Sequence, residues 1–241
     1  MLRDIGTIIW KDLGEWLGAS GKRSKVTLAV FCLVFGVVMP LEWGTEWVSS
    51  PVSLFSWAWL PFLLVTSSIA DAIAGERERH TLETLLATRL SDDAILLGKM
   101  AAAVVYAVGQ LWIVALVAAV TVNVAHWEGA VAFYAPPILA GLIAFPLLVA
   151  GLAAGIGTLV SMRAPTARAA QQSLTIAMFV FVLPLFAVGF LPDSITAGLN
   201  ALVSGANLAA LPVALAGVLA ATDAVLVAIA RRRFSRARLA L

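Results

Sequence analysis

The sequence predicts an all-α integral membrane protein with six transmembrane helices, an N-terminal interfacial amphipathic helix and a short cytoplasmic helix. Of its 241 residues, 61 % are hydrophobic and only 12 % are charged, and the mean hydropathy is +0.98. A soluble domain of this length could not cover such a core with so little polar surface. Uncharged stretches long enough to cross a bilayer recur along the chain. The composition therefore excludes a soluble enzyme, and it also excludes a disordered chain.

The first element is an amphipathic helix over residues 2–19. Its apolar residues recur at spacings of three and four, and charged residues lie between them. The helix is too polar to span a membrane. It either lies on the cytoplasmic surface of the bilayer as an anchor or packs as an elbow helix on the spans, and periodicity does not separate these two readings. The apolar positions are Leu2, Ile5, Ile9, Leu13 and Trp16.

Six spans follow within a single domain that covers residues 1–241. The 34 residues between Glu128 and Arg163 would reach about 51 Å as one helix, well beyond a hydrocarbon core of about 30 Å. We therefore start the fourth span at Pro136. Residues 192–207 form an outer loop, which either remains outside or re-enters the outer leaflet where protein or water covers it. The predicted spans are about residues 26–43, 50–71, 99–123, 136–161, 170–191 and 208–230.

The distribution of basic residues predicts the orientation. All 16 Lys and Arg lie in the N-terminal segment, in the loops between spans two and three and between spans four and five, or in the C-terminal tail. The three remaining loops contain no Lys or Arg. By the positive-inside rule both termini are cytoplasmic, and a model with five or seven spans would break this partition. We expect a multi-pass protein of a prokaryotic cytoplasmic (inner) membrane.

The loop at residues 75–98 is the largest one on the cytoplasmic side. Ser91 is a plausible N-cap for the helix that continues into span three. A short helix before it presents Leu82, Leu85 and Leu86 on one face. Composition alone leaves two interpretations of that helix, which are docking into a groove of another protein and a solvated cap between two spans.

The same loop resembles the cytoplasmic signature of ABC-2 type transporter permeases. The resemblance rests on residues 75–83, which read GERERHTLE, on the pair Leu85-Leu86, and on Gly98-Lys99 at the start of span three. His80 stands where the family usually has glycine. The motif covers residues 75–99, and the six-span architecture with its N-terminal helix covers the whole chain.

The resemblance implies a permease subunit that is not itself catalytic, since the family's ATP hydrolysis occurs in a separate nucleotide-binding subunit that holds ATP and magnesium. It also implies a second permease copy or a paralogue as partner, and export as the direction of transport. The loop between spans two and three would carry the coupling helix that contacts the ATPase. The residues that the resemblance places in or beside this contact are Glu76, Glu78, Thr81, Leu82, Glu83, Leu85 and Leu86.

The sequence itself is consistent with a subunit that is not an enzyme and has no cofactor of its own. The phosphate-binding pattern G-x-x-x-x-G-K-[ST] does not occur. His80 and His126 are expected on opposite sides of the membrane, and Cys32 is the single cysteine, so no metal site is predicted. The basic termini suit anionic lipid headgroups better than nucleic acid.

Three polar residues inside spans are candidates for a transport path. Asp223 either lines the path, binds a proton, or pairs with the arginines at 231–233. Gln110 and Asn123 either line the path or form interhelical hydrogen bonds. The alternatives to an ATP-driven exporter are a haem-exporter-like permease of cytochrome maturation, a secondary transporter and a membrane-embedded enzyme. The nearly uncharged spans favour an apolar or amphipathic substrate.

Overall fold

The computed structural model describes residues 1–18, 22–50, 59–187 and 211–234, and the regular structure within these ranges is helical. Two π-helical segments, Cys32–Val38 and Asp71–Gly75, continue α-helices without a break. The α-helices are α1 (Leu2–Leu17), α2 (Lys22–Phe31), α3 (Met39–Trp43), α4 (Glu46–Ser49), α5 (Leu60–Ala70), α6 (Glu76–Glu78), α7 (Thr81–Leu86), α8 (Asp92–Ala125), α9 (Pro136–Ser161), α10 (Ala167–Ala187) and α11 (Leu211–Arg233).

Four helical stretches among the described residues are long and apolar enough to cross a membrane. They are Lys25–Trp43, Asp92–Ala125, Pro136–Ser161 and Pro212–Arg233. The all-helical class and a multi-pass membrane character are therefore confirmed. The predicted second span includes residues 51–58 and the predicted outer loop is 192–207, and both lie outside the described residues. The last four residues of the predicted fifth span, 188–191, lie outside them as well.

Local sequence signals account for two helix starts. Ser91 has an extended backbone, and its side-chain oxygen accepts a hydrogen bond from Ala94 N at 3.2 Å, as expected of an N-cap. Pro136 occupies the first turn of α9, where a missing N–H removes no helical hydrogen bond. The cap of α8 and the start of α9 thus lie where the sequence predicted them.

Helix α8 is the centre of the fold, since it packs against α1, α5, α9 and the first span. Its residues Leu96 and Ala103 are fully buried, together with Val65 and Ile69 of α5 and Ala154 of α9. The helix α1 packs directly on α8, where Ile8 is buried and the ring of Trp16 lies edge-on to Tyr106 at 5.3 Å between centroids. The N-terminal helix is thus part of the packed helical body.

Two glycines of α9, Gly151 and Gly155, lie against α11. A Cβ at Gly151 would lie 2.6 Å from Asp223 Oδ2, and one at Gly155 would lie 2.8 Å from Leu226 Cβ. These distances are too short for a side chain, so glycine is required for this close helix contact. Gly151 and Gly155 therefore allow two helices of the same chain to pack closely together.

Candidate functional site

The loop between α5 and α8 contains four consecutive charged residues, 76–79, and each side chain contacts a different part of the fold. They follow the π-helical segment that ends α5, and they precede the short helix α7. Glu76 is the most buried of the four.

Glu76 joins α1 and α8 through two lysines. Its Oε2 lies 2.7 Å from Lys99 Nζ in α8, and its Oε1 accepts a hydrogen bond from Lys11 Nζ in α1 at 2.8 Å. Lys99 is completely buried, and the side chain of Glu76 is 6 % exposed. Gly98 permits this arrangement, because a Cβ there would lie 2.8 Å from Ile8 Cβ. The two glycine-containing pairs of the sequence motif, at 75–76 and 98–99, thus meet at one ion pair.

Asp12 completes the group, which we call the charge cluster (Lys11, Asp12, Glu76 and Lys99). Its carboxylate lies 3.7 Å from Lys99 Nζ and 3.4 Å from Lys11 Nζ, and its side chain is 3 % exposed. Two cations and two anions make the cluster neutral. Neutrality matters because a buried charge without a partner is strongly destabilising.

The electrostatics of the cluster favour the charged forms. Burial would raise the pKa of Glu76, but the charge of Lys99 and the hydrogen bond from Lys11 outweigh it and lower that pKa. Burial likewise would lower the pKa of Lys11, and the hydrogen bond and charge of Glu76 raise it instead. We conclude that Glu76 is ionised at neutral pH.

A metal ion is a conceivable occupant of this region, since carboxylate oxygens of Asp12, Glu15 and Glu76 lie within 4.8 Å of one another. Lys99 and Lys11, however, already neutralise two of these three carboxylates. The arrangement therefore fits ion pairing with lysine ammonium groups, not metal coordination.

The next two residues contact the segment between α9 and α10. Arg77 donates hydrogen bonds to the carbonyl oxygens of Met162 at 3.1 Å and of Ala164, which follow the last turn of α9. Glu78 Oε2 accepts a hydrogen bond from Ala167 N at 3.2 Å, the first residue of α10. A cation at a helix C-terminus and an anion at a helix N-terminus are both favourable. Two adjacent residues therefore hold both ends of the loop 162–166.

Arg79 and His80 shape the turn into α7. Arg79 lies 3.0 Å from Asp71, and this hydrogen bond raises the pKa of the guanidinium. His80 has φ 59° and ψ 15°, the left-handed conformation that glycine adopts most readily. His80 therefore adopts the same turn conformation that the usual glycine would adopt at this position. Thr81 Oγ1 donates to Glu76 O at 3.2 Å and ties the start of α7 to the charge cluster.

The apolar side of α7 faces the interior of the chain. Leu82 is 1 % exposed, and Leu85 is half-buried against the same core. Thr81, Glu83 and Thr84 are exposed, and the side chain of Leu86 lies outside the description. Leu82 is therefore not presented outward, because the core between α1 and α8 takes up that side chain. The outward surface of α7 is polar.

The three predicted path residues lie in separate environments. Gln110 is 4 % exposed within α8. The amide of Asn123 donates to Ala132 O at 2.7 Å and accepts from Ala132 N at 2.8 Å, so it fastens the segment after α8. Asp223 is half-buried against α9.

Of the alternatives for Asp223, pairing with Arg231 does not occur in the structure. Arg231 instead donates to Asp93 at the start of α8, at 2.8 Å. Among the described residues Asp223 has no ion-pair partner, and its Oδ1 is buried without a hydrogen bond.

A cavity of about 1400 Å³ opens between α1, α5 and α10. Its charged lining comes from Glu15, Asp71, Glu78, Arg79 and Arg168. Two of these residues, Glu78 and Arg79, belong to the run 76–79, so the contacts described above also form part of the cavity lining.

Sequence reasoning missed Lys11, Asp12 and Lys99 as functional residues. A signal was present, because Asp12 lies on the face of α1 that also carries Ile8 and Trp16, and Lys99 begins a predicted span. Charged residues at apolar positions require partners, but their spacing along the chain does not identify those partners.

Residues 47–207, about two thirds of the chain, match the protein family described as "ABC-2 family transporter protein". The match includes the complete loop between α5 and α8. No curated protein matches the chain.

Proposed function

Because this chain belongs to the ABC-2 family of transporter proteins, we propose that it is the membrane-spanning permease subunit of an ATP-binding cassette transporter. In this proposal the chain is not catalytic and holds no cofactor. A separate nucleotide-binding subunit binds ATP and magnesium. Two permease chains, identical or paralogous, form the membrane part, and the complex exports its substrate.

The proposed topology has six spans in a single domain, with both termini on the cytoplasmic side of a prokaryotic inner membrane. The partition of all 16 basic residues supports it. Helices α5 and α10 would belong to spans two and five, beside the four apolar helices already described. Helix α1 would lie at the cytoplasmic interface, where exposed Trp10 and Leu17 would meet the headgroup region.

The outward surface of α7 is the proposed contact with the ATPase. Thr81, Glu83 and Thr84 are exposed there, whereas Leu82 is buried beneath them. Leu85, which is half-buried, would support the contact from its inner edge, and Leu86 is a contact residue by the resemblance alone. Glu76 and Glu78 would not touch the partner, because their carboxylates are engaged with Lys99 and with Ala167 N. They would instead connect α7 to the spans.

The observation that carries the proposal is the set of contacts made by residues 76–78. Glu76 connects the α7 segment to α1 and α8, Arg77 connects it to α9, and Glu78 connects it to α10. A displacement of α7 would therefore be transmitted to four helices at once. Such rigid connections are what coupling between two sites needs, together with two arrangements of the helices. ATP binding and hydrolysis in the partner would select between those arrangements.

Charge reversal on the exposed surface of α7 tests the proposed contact. We would purify the tagged full chain with its ATPase subunit, comparing Glu83→Lys with Arg232→Glu, an exposed charge reversal at the end of α11. We expect Glu83→Lys to lower the amount of co-purified ATPase about tenfold, which corresponds to about 1.4 kcal/mol of binding free energy. Arg232→Glu should leave it unchanged.

A second variant, Thr84→Trp, places a bulky group on the same surface and should act in the same direction. Normal ATPase recovery and normal ATP hydrolysis in both α7 variants would refute the proposed contact. Thermal unfolding of each purified permease shows whether the variant is folded, since substitutions at exposed positions usually change stability by less than about 0.5 kcal/mol.

A further inference from the structure

The lining of the cavity between α1, α5 and α10 changes in polarity along the helices, and we call its charged end the mouth. On α10, Arg168 lies at the mouth, Gln171 and Gln172 follow one turn later, and Thr175 and Ile176 one turn after those. The eight residue steps from Arg168 to Ile176 span about 12 Å of helix. This wall therefore passes from charged, through amide and hydroxyl groups, to apolar.

The opposite wall, on α5, has the same order. Asp71 lies at the mouth, Ser67 and Ser68 follow, and Leu64 lies deeper. The seven residue steps from Asp71 to Leu64 correspond to about 10 Å. A lipid-like molecule in one leaflet has this order as well, because its polar head lies at the interface and its chain extends into the hydrocarbon.

The charges at the mouth are not equally available to a ligand. Arg79 pairs with Asp71, and Glu78 accepts the hydrogen bond from Ala167 N. Glu15 on α1 and Arg168 on α10 form no salt bridge within the part of the chain that the structure describes, although the charge of Glu15 also acts on Arg79. One acid and one base on different walls match a head that carries both charges. Three acids against two bases line the mouth, so a purely anionic head is disfavoured.

We infer that this cavity binds a zwitterionic amphiphile, with its head between Glu15 and Arg168 and its chain against Leu64 and Ile176. The inference rests on the proposed function, since it names the substrate class that the permease would take from the cytoplasmic leaflet. A volume of about 1400 Å³ exceeds the usual 300–1,000 Å³ of small-molecule pockets, which leaves room for a head together with part of a chain.

The test uses the full chain in nanodiscs that contain a photoactivatable phosphatidylcholine with a diazirine in its acyl chain. The comparison probe is phosphatidylglycerol with the same labelled chain. We expect phosphatidylcholine to label residues 63–68 and 171–176 about threefold more than phosphatidylglycerol, in the range that exposed charge pairs supply. Equal labelling by the two lipids would overturn the assignment of the head.

Two variants and a matched control separate head recognition from general lipid contact. Arg168→Gln and Glu15→Gln should each reduce labelling by phosphatidylcholine about two- to fourfold. Glu15→Gln should also raise labelling by phosphatidylglycerol, because it removes one negative charge from the mouth. Arg232→Gln, an exposed arginine of α11 outside the cavity lining, should change neither value. A loss with Arg232→Gln as large as that with Arg168→Gln would refute a specific head site.

A soluble competitor tests the requirement for a chain. Glycerophosphocholine carries the same head without acyl chains and should not reduce the labelling, whereas competition by it would overturn the amphiphile. Labelling of residues 63–68 and 171–176 no stronger than that of the exposed Val213 and Val218 of α11 would also refute the site. In that case, cross-linking of the variant Thr175→Cys to a second copy would identify another permease chain as the occupant.

This experiment can fail independently of the proposed function. Photolabelling needs neither ATP nor the partner subunit. Absence of an ATPase from the purified complex would refute the proposed transporter while leaving a labelled cavity. Normal ATPase binding without labelling would refute the cavity inference alone.

Discussion

Replacement of Lys99 by methionine is the most direct test of the charge cluster. Methionine keeps most of the length of the side chain and removes its charge. Lys99 is completely buried between Glu76 and Asp12, so the variant leaves two buried carboxylates with Lys11 as their remaining close cation. The side chain of Lys11 is 48 % exposed, and water screens its charge.

The magnitude follows from burial. Removal of one partner from a buried ion pair destabilises proteins by about 3–5 kcal/mol. Each 1.4 kcal/mol changes an equilibrium constant tenfold, so the opening equilibrium of α1 should rise by roughly two to three and a half powers of ten. Lys11→Met should have a much smaller effect, because exposed pairs contribute only about 0–1 kcal/mol.

Hydrogen exchange of the α1 amides provides the assay. Residues 2–17 of the purified full chain should lose protection in Lys99→Met, since α1 is held to α8 through the cluster. The amides of α9 and α11 serve as an internal reference, because neither helix contains a member of the cluster. Unchanged protection of residues 2–17 in Lys99→Met would refute the argument.

A double variant distinguishes electrostatics from packing. Glu76→Gln together with Lys99→Met removes one anion and one cation, which leaves the neutral pair Lys11 and Asp12. If charge balance is the cause, the double variant should be less destabilised than the sum of its two single variants. Additive losses would show that the lost packing of Lys99, not its charge, accounts for the effect.

Three further predictions concern the same loop. His80→Gly should raise the free energy of unfolding by about 0.5–1 kcal/mol. Glycine removes the steric cost of the left-handed conformation, and this gain exceeds the additional backbone entropy that glycine loses on folding. A lower unfolding temperature would contradict this. Leu85→Glu should lower stability by about 1–3 kcal/mol, whereas Thr84→Glu on the exposed side should change it by less than about 0.5 kcal/mol, and equal losses would contradict the orientation of α7. The lowered pKa of Glu76 means that its stabilisation is complete above about pH 4.3, the usual pKa of a glutamate, and is lost as the pH falls through the lower folded value. Protection of the amides of residues 2–17 from hydrogen exchange, corrected for the intrinsic effect of pH on exchange, should therefore fall on acidification, and Glu76→Gln should weaken this dependence.

Helix positions were predictable where a local signal specifies them. Ser91 as N-cap and Pro136 in a first turn follow from backbone chemistry within a few residues. Hydropathy placed the long apolar stretches because the bilayer requires a minimum length of apolar helix. The π-helical segment at Cys32–Val38 has no comparable signal in the sequence, since its residues suit an α-helix equally well.

The direction of an apolar face was not predictable. Periodicity places Leu82 and Leu85 on one side of α7, but it does not tell whether that side meets a partner or the chain's own core. The core takes up Leu82 because the charge cluster holds α1 and α8 on that side of the loop. That cluster joins residues 65 positions apart, and no local pattern reports such a pairing.

The charges of residues 76–79 illustrate how a charged motif can be misread from sequence. A dense charged run beside a short helix suggests a surface for a partner. In the structure all four side chains are engaged within the chain, with Lys99, with the end of α9, with the start of α10 and with Asp71. Exposed Glu83 is the acidic residue of α7 that remains for a partner. The motif therefore fixes the position of α7 relative to the spans, and a force applied at α7 reaches them through contacts that are already in place.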